Sequence, residues 1–140
     1  EGVKSACQEI ERAVGRIPVL VCEMVKGSRE VIAGMTRLEG FPPAILFGLG
    51  GIFAEVLQDS AVRLAPFDRL EALRQIDSIQ AAALLGAVRG MAPVDKDALA
   101  DLLVSLGVLS VQFPEIQEID LNPIVIVDGK PIVVDALFVQ

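Results

Sequence analysis

The spacing of apolar residues predicts a chain that starts with a helix and continues as strands. Apolar side chains recur at helical spacing over residues 2–14, which predicts one amphipathic helix. The continuous apolar run 17–25 is rich in β-branched residues and predicts a buried strand, joined by a hairpin to a second strand over residues 30–36. The further strands predicted in this half cover residues 44–47, 52–57 and 61–64.

The second half of the chain combines helices and strands. Asp68 with Glu71 three residues later predicts a capped helix, and Asp95 begins a longer helix. Residues 118–139 contain two β-rich segments around Asp128-Gly129, a strong signal for a two-residue hairpin. We therefore expect an α+β fold, a single domain over residues 1–140, with a mainly antiparallel sheet and packed helices.

Composition and charge narrow the class of function. The chain has 140 residues, of which 53% are apolar, and 12 basic against 19 acidic residues give a net charge of −7. This acidic balance predicts no nucleic-acid partner and no membrane surface, and the apolar runs are shorter than a membrane span. The sequence contains no histidine. A metal ion must therefore be held mainly by oxygen ligands, which favours Mg²⁺ over Zn²⁺.

The two cysteines indicate a compartment. Cys7 and Cys22 both lie in apolar segments, and two cysteines are too few for the disulfide framework of a small secreted protein. We interpret them as small buried side chains in a reducing cytoplasm, with a single Cys7–Cys22 disulfide as the alternative. No signal peptide is visible, and the sequence begins at Glu1 inside a helical pattern, which suggests a processed product or a piece of a longer protein.

The C-terminal hairpin predicts a group of polar side chains. A turn at Asp128-Gly129 gives a register that places Asn122 opposite Asp135, with Asp120 on the same face as Asn122 and Ile124 continuing that face toward the turn. Two carboxylates this close repel each other unless a cation binds between them. The set predicts a Mg²⁺–nucleotide site, and ordinary turn and strand-edge roles for the same residues are the alternative.

The glycine loop, residues 48–51, and the acidic residues near it are a second candidate. The loop matches neither a Walker A motif nor a dinucleotide fingerprint. Its glycines let backbone amides approach a phosphate or another protein segment, and a plain turn between strands is the alternative. Glu23 breaks an apolar strand and Glu30 begins the next, and both need partners. Arg29, Arg37 and Arg63 can supply them as ion pairs, and Arg63 can equally serve a phosphate.

Several motifs, taken in order, resemble one known family. The motifs are VCEMVKG at 21–27, EVIAG at 30–34, FGLGGIFAEV at 47–56, RLAP at 63–66, and FPEI at 113–116 leading to DLNP at 120–123. They resemble the ATP-grasp domain of NDP-forming acyl-CoA synthetases, which also occurs in the β subunit of ADP-forming acetyl-CoA synthetase. The resemblance covers essentially the whole chain.

The resemblance implies an ATP-grasp fold that holds Mg²⁺ and ATP or ADP between two lobes, with this chain as the C-terminal lobe. The family interconverts acyl-CoA, ADP and phosphate with the free acid, CoA and ATP through an acyl phosphate and a phosphohistidine. The implied positions are Asp120, Asn122 and Asp135 for the metal, Glu23, Glu30 and Arg63 for the nucleotide, and Gly48, Gly50 and Gly51 for contact with the phosphohistidine segment.

The departures from the family pattern define the expected partners. The first ATP-grasp lobe, the CoA-binding and ligase domains and the histidine have no counterpart in this sequence. We therefore expect these domains, or a separate subunit, as partners, and no synthetase turnover by the isolated chain. The isolated chain is also expected to self-associate through exposed apolar surface. The alternative is a non-catalytic module that senses nucleotide or docks partner domains, as in a protein acetyltransferase fusion.

Overall fold

The computed structural model describes residues 1–51, 59–88 and 90–140, and contains helices above and beside one sheet. The helices are α1 (Gly2–Val14), α2 (Arg69–Asp77) and α3 (Lys96–Gln112), with a 3₁₀ helix at Ala82–Leu85. The strands are β1 (Arg29–Thr36), β2 (Ala44–Leu49), β3 (Ser60–Leu64), β4 (Glu118–Val127), β5 (Lys130–Val133) and β6 (Leu137–Val139). The strand predicted at 52–57 lies outside the described residues.

The six strands form one antiparallel sheet in the order β3-β2-β1-β4-β5. β6 pairs with the first residues of β4 and β5 pairs with the last, so both lie beside β4 on the side away from β1. The α+β fold with a mainly antiparallel sheet is confirmed.

Local signals in the sequence set the ends of several elements. Asp68 Oδ1 accepts from the backbone N–H of Glu71 at 2.9 Å, and Asp95 Oδ1 accepts from that of Ala98 at 3.0 Å. Both predicted helix caps are confirmed. Asp128 and Gly129 have φ angles of 49° and 86°, the positive values that a tight two-residue hairpin turn requires.

The helices α2 and α3 cover one face of the sheet, which we call the inner face, and the other is the outer face. Apolar side chains from the inner face and the two helices form the core. The core residues include Val31, Ala33 and Met35 of β1, Ile45, Phe47 and Leu49 of β2, Ile119, Leu121, Ile124 and Ile126 of β4, and Ala72, Ile76, Leu99 and Leu103 of the helices.

Strand β4 carries one extra residue where it pairs with β1. Val31 pairs with Ile124, whereas Ala33 pairs with Leu121, so two residues of β4 lie opposite Ile32. Such a bulge reverses the alternation of side chains between the two faces of a sheet. Ile124 and Leu121 both point into the core for this reason, although three positions separate them.

The bulge corrects the predicted faces of the hairpin. Regular alternation put Ile124 on the same face as Asn122 and Asp120, and that expectation is wrong. Ile124 is fully buried, Asp120 is half-buried and Asn122 is exposed. The extra residue lies at Asn122-Pro123, and Pro123, which has no N–H to give to a ladder, is its only signal in the sequence.

The N-terminal segment departs from the prediction of a buried hairpin. α1 forms as expected, but none of its residues is buried against the part of the chain that the structure describes. Residues 17–25 form no strand. Val25 is half-buried, but the apolar side chains of residues 17–24 are exposed, with Leu20 87% and Met24 80% accessible. A strand needs a neighbour for its backbone groups. β1, the predicted partner, already pairs with β2 and β4.

The two cysteines are also less buried than predicted. Cys7 is half-buried and Cys22 is exposed, and both are free thiols. The expectation that both are buried is therefore wrong, because the segments that carry them do not join the core. Among the helices of the described ranges, none combines the length and the apolar character that a membrane crossing demands.

Candidate functional site

An open cavity of about 460 Å³ lies on the outer face of the sheet. Its volume falls in the range of pockets that hold small-molecule ligands. Outer-face residues of three adjacent strands contribute to its lining: Ile32, Gly34 and Thr36 of β1, Leu46 of β2, and Glu118, Asp120 and Asn122 of β4. Two of the predicted metal ligands therefore lie at a ligand-sized cavity.

Gly34 at the centre of the cavity explains its open floor. It pairs with Leu46 on one side and with Asp120 on the other. A Cβ atom at position 34 would lie 2.9 Å from the backbone oxygen of Ile119, closer than real Cβ contacts come. The absence of a side chain lets β1 and β4 approach and leaves the space between Leu46 and Asp120 empty.

The structure places Asp135 beside Asn122. β5 and β6 pair with β4 in one continuous register, and in the gap between them the N–H of Val134 donates to the oxygen of Pro123 at 3.2 Å. This register sets Asp135 opposite Asn122, as the sequence predicted. Asp135 is exposed, and its Oδ1 accepts from the adjacent N–H of Ala136 at 2.9 Å.

The donor set at this end of the sheet suits a hard cation with an incomplete protein shell. Asp120 and Asp135 are two carboxylates, and Asn122 adds an amide oxygen. Within the described ranges there is no group of three or more His, Cys, Asp or Glu side chains that could hold a metal ion. A cation here would therefore need water or ligand phosphate oxygens as well, which is the usual way proteins hold Mg²⁺.

Glu30 and the glycine loop are in direct contact. The N–H of Gly50 donates to the backbone oxygen of Glu30 at 2.9 Å. A Cβ atom at Gly51, whose φ is +61°, would lie 2.9 Å from Glu30 Oε2. At Gly48 the same atom would lie 2.9 Å from the oxygen of Asp59. The loop is thus packed between β1 and β3, and the Glu30 side chain lies over its end.

Glu30 belongs to the same face as the cavity. Val31, Ala33 and Met35 of β1 are buried, so the alternate positions, including Glu30 and Gly34, point to the outer face. Glu30 and Gly34 are separated by about 13 Å along the strand at the usual rise per residue. The outer face therefore carries both predicted groups: the carboxylate by the glycine loop and the Asp120-Asn122 pair.

Arg63 is not brought to this face. It pairs with Ile45, a core residue, and therefore points to the inner face, where its Nε donates to Glu71 Oε1 at 2.7 Å. The pKa of Glu71 is lowered by this hydrogen bond and, after it, by one from Arg74. Arg63 therefore forms an ion pair, but with Glu71 and not with Glu23 or Glu30, the partners that the sequence analysis considered. The phosphate role of Arg63 stays a prediction.

Glu23 lies in the irregular N-terminal segment. Its side chain is exposed, and the hydrogen bonds of the described residues include none that joins it to Glu30 or the cavity. Its predicted contact with a nucleotide stays a prediction. Behind the site, Arg29 binds backbone oxygens and not an acidic side chain, and Asp59, which the sequence analysis missed, accepts from backbone N–H groups; both contacts are half-buried. Nothing in the sequence marks them, because their partners are distant backbone groups.

The similarity of the chain to known proteins extends over almost all of its residues. A family model described as an ATP-grasp domain matches residues 1–139. Over 118 residues the chain is 47% identical to the β subunit of ADP-forming acetate–CoA ligase I from Pyrococcus furiosus, covering 84% of this chain and 51% of that subunit. It is 41% identical over 138 residues to ADP-forming acetate–CoA ligase I from Archaeoglobus fulgidus, covering 94% of this chain and 20% of that protein.

A solved structure shows the same fold. It is the dinucleotide forming acetyl-coenzyme A synthetase 1 of Ca. Korarchaeum cryptofilum in complex with coenzyme A and Mg-AMPPCP, its phosphohistidine segment pointing towards the nucleotide binding site. The TM-score is 0.87 at 38% identity, over 98% of this chain and 62% of that chain. The chain thus spans about half of the Pyrococcus subunit and a smaller share of the Archaeoglobus protein.

Proposed function

Because the chain belongs to the ATP-grasp domain family, we propose that its outer face forms part of the Mg²⁺–nucleotide site of an ADP-forming acyl-CoA synthetase. The observation that carries the proposal is the meeting of Asp120 and Asn122 at a cavity of about 460 Å³ on the face opposite the helices. The proposal is supported by the similarity to a synthetase solved with Mg-AMPPCP. The nucleotide is ATP or ADP.

The charge of this face is the reason for a divalent cation. Glu30, Glu118 and Asp120 all belong to the outer face. Their carboxylates repel a nucleotide phosphate unless a cation stands between them. Mg²⁺ bound by Asp120, Asn122 and Asp135 would neutralise this repulsion and orient the phosphates, while keeping open positions for water.

The proposed reaction interconverts an acyl-CoA, ADP and phosphate with the free acid, CoA and ATP. It proceeds through an acyl phosphate and a phosphohistidine, and the histidine must belong to another domain or subunit because this chain has none. Gly48, Gly50 and Gly51 are the proposed contact with the phosphohistidine segment, which would approach at Gly51, the exposed residue of the three, with Gly48 and Gly50 buried behind it. Glu23 and Glu30 are proposed nucleotide contacts.

The exposed apolar surface of the N-terminal segment is the reason for proposing partner domains. α1 exposes Val3, Ile10 and Val14 on its apolar side, and residues 17–24 are exposed as well. Apolar surface of this extent in a protein usually marks an interface. We propose that it packs against the first lobe of the ATP-grasp domain, and that the CoA-binding and ligase domains complete the enzyme. The 140-residue chain alone should give no turnover.

The experiment is a pair of measurements. Isothermal titration of the protein that carries this chain together with its first lobe, with ATP in the presence and absence of Mg²⁺, tests the site. Formation of ATP from acetyl-CoA, ADP and phosphate tests the activity, and it is measured with the CoA-binding and ligase domains and the domain or subunit that supplies the histidine also present. Mg²⁺-dependent binding with ATP formation is the expected result. Binding without ATP formation would favour a nucleotide-sensing module, and neither would favour a docking module.

A further inference from the structure

Two charged side chains hold one short segment behind the glycine loop. The segment is residues 80–86, which contains the 3₁₀ helix Ala82–Leu85. Asp59 binds its first residues and Arg29 binds its last residues. We call residues 80–86 the 3₁₀ segment.

Asp59 is a buried carboxylate, 5% exposed, with both oxygens engaged. Oδ1 accepts from the N–H of Gln80 and Oδ2 accepts from the N–H of Ala81, each at 2.7 Å. Its own backbone oxygen accepts from the N–H of Leu49 at 3.3 Å. One residue therefore joins the start of the 3₁₀ segment to the end of β2, where the glycine loop begins.

Arg29 binds the other end of the 3₁₀ segment. Its Nη1 donates to the oxygens of Leu84 at 2.7 Å and Gly86 at 2.8 Å, and its Nη2 donates to the oxygen of Ala92. Arg29 immediately precedes Glu30 on β1. A negative group at the first N–H groups of a helical turn and a positive group at its last carbonyls is the favourable arrangement of charge.

The 3₁₀ segment also packs against the two strands that carry the site. Leu85 belongs to the same buried core as Val31 and Leu49, and the cavity that these residues line is only about 30 Å³. Because the space left between them is so small, a shift of the segment would displace the ends of β1 and β2 together. Those ends carry Glu30 and the glycine loop, which are themselves joined by the hydrogen bond between Gly50 and Glu30.

We propose that Asp59 and Arg29 are positioning residues that fix the glycine loop and Glu30 relative to each other at the proposed nucleotide site. This rests on the proposed function for the identity of the ligand, but the positioning itself is a property of the unliganded chain. Neither residue touches the ligand. They act through the backbone of the 3₁₀ segment on one side and of β1 and β2 on the other.

The primary variant is Asp59→Asn, with Gln75→Leu as the matched control. Asparagine replaces one carboxylate oxygen with an amide group that faces a backbone N–H, so one of two buried hydrogen bonds is lost. Gln75 is equally buried, and its Nε2 donates to the oxygens of Ile45 and Ala61, away from the glycine loop. The control therefore removes buried hydrogen bonds of the same sheet without touching the 3₁₀ segment.

The first readout is amide hydrogen exchange at Leu49 and Gly50, which needs no ligand. Asp59→Asn should speed exchange at these two amides about tenfold or more relative to Gln75→Leu. Arg29→Lys keeps the charge but loses the planar guanidinium group, and it should also speed amide exchange at Gly50. If Asp59→Asn does not fold, Arg29→Lys is the variant to measure.

The second readout is the affinity of the protein with its first lobe for Mg–ATP. Asp59→Asn should weaken Mg–ATP binding about tenfold relative to Gln75→Leu, because it displaces the glycine loop and Glu30 and the control does not. A loss of melting temperature equal to that of Gln75→Leu, with unchanged exchange at Leu49 and Gly50, would overturn the positioning role. If the wild-type protein binds no Mg–ATP, the proposed function is wrong. Amide hydrogen exchange at Leu49 and Gly50 then remains the test of the positioning role.

Discussion

The carboxylate of Glu30 lies directly over Gly51, so close that a Cβ atom at position 51 would stand 2.9 Å from Oε2. Gly51 also has a φ of +61°, which L side chains rarely adopt. The backbone conformation therefore favours glycine here, and any side chain at position 51 would push the end of the Glu30 side chain aside. The contact connects a backbone loop to an acidic side chain on the face that we propose for the nucleotide.

Replacing Gly51 tests this contact. Gly51→Ala should cost about 1–2 kcal/mol of folding free energy from the left-handed backbone. It should also displace the Glu30 side chain and so weaken Mg–ATP binding. The measurements are chemical denaturation and nucleotide titration of the protein with its first lobe.

Gly40→Ala is the control for Gly51→Ala. Gly40 has a φ of +81°, and a Cβ atom at this position would have nothing within 4 Å, so the variant carries the same backbone strain without the contact. It should be destabilised but should bind nucleotide normally. Equal nucleotide affinities for the two variants would contradict a role for the Glu30–Gly51 contact.

The Arg63–Glu71 ion pair predicts a pH dependence of stability. The pKa of Glu71 lies below its ordinary value of 4.5 in the folded chain, chiefly because Arg63 donates to its carboxylate. The stability this contributes is present above about pH 4.5 and is lost as the pH falls through the lowered folded pKa. Arg63→Gln should therefore flatten the acid limb of the stability curve, measured by denaturation between about pH 3 and 6.

The same variant separates the two roles of Arg63. On the inner face, the side chain is held by Glu71, so Arg63→Gln should leave Mg–ATP affinity unchanged. Arg74→Gln removes the second hydrogen bond to Glu71 and serves as the comparison, because Arg74 was never a candidate for the nucleotide. If Arg63→Gln loses nucleotide affinity and Arg74→Gln does not, the result would favour a phosphate contact by Arg63.

The exposed N-terminal run predicts self-association of the isolated chain. Leu20→Ser with Met24→Ser should reduce the dimers or larger species that we expect light scattering to detect, because these side chains are 87% and 80% exposed. The free energy of unfolding should change by less than about 0.5 kcal/mol, as for other exposed positions. Leu70→Ser, at an exposed position of α2, should leave association as it is. An unchanged association state in the double variant would place the interface elsewhere.

Local chemistry is what the sequence predicted well. The caps at Asp68 and Asp95 and the turn at Asp128-Gly129 depend on a few neighbouring residues, so a single sequence is enough to find them. The register of that hairpin follows from its turn, and with it the position of Asp135 opposite Asn122.

The errors all come from pairing partners that are distant in the chain. Residues 17–25 have the composition of a strand, but composition does not supply a neighbouring strand. The bulge at Asn122-Pro123 is set by how β4 meets Ile32, which a hairpin register does not reveal. Arg29 and Asp59 bind backbone groups far along the chain, so no motif marks them. The family resemblance predicted the members of the site, and the structure shows which of them share a face.

The most direct test of the account is a Mg²⁺ titration of ATP binding by the Asp120→Asn/Asn122→Ala variant of the protein with its first lobe. Asp101→Asn is the control, since that carboxylate pairs with Arg69 on the helical side. We predict that the double variant loses about tenfold or more in Mg–ATP affinity, through a weaker Mg²⁺ dependence, while the control binds as wild type does. Wild-type affinity and Mg²⁺ dependence in the double variant would contradict a metal–nucleotide site on the outer face.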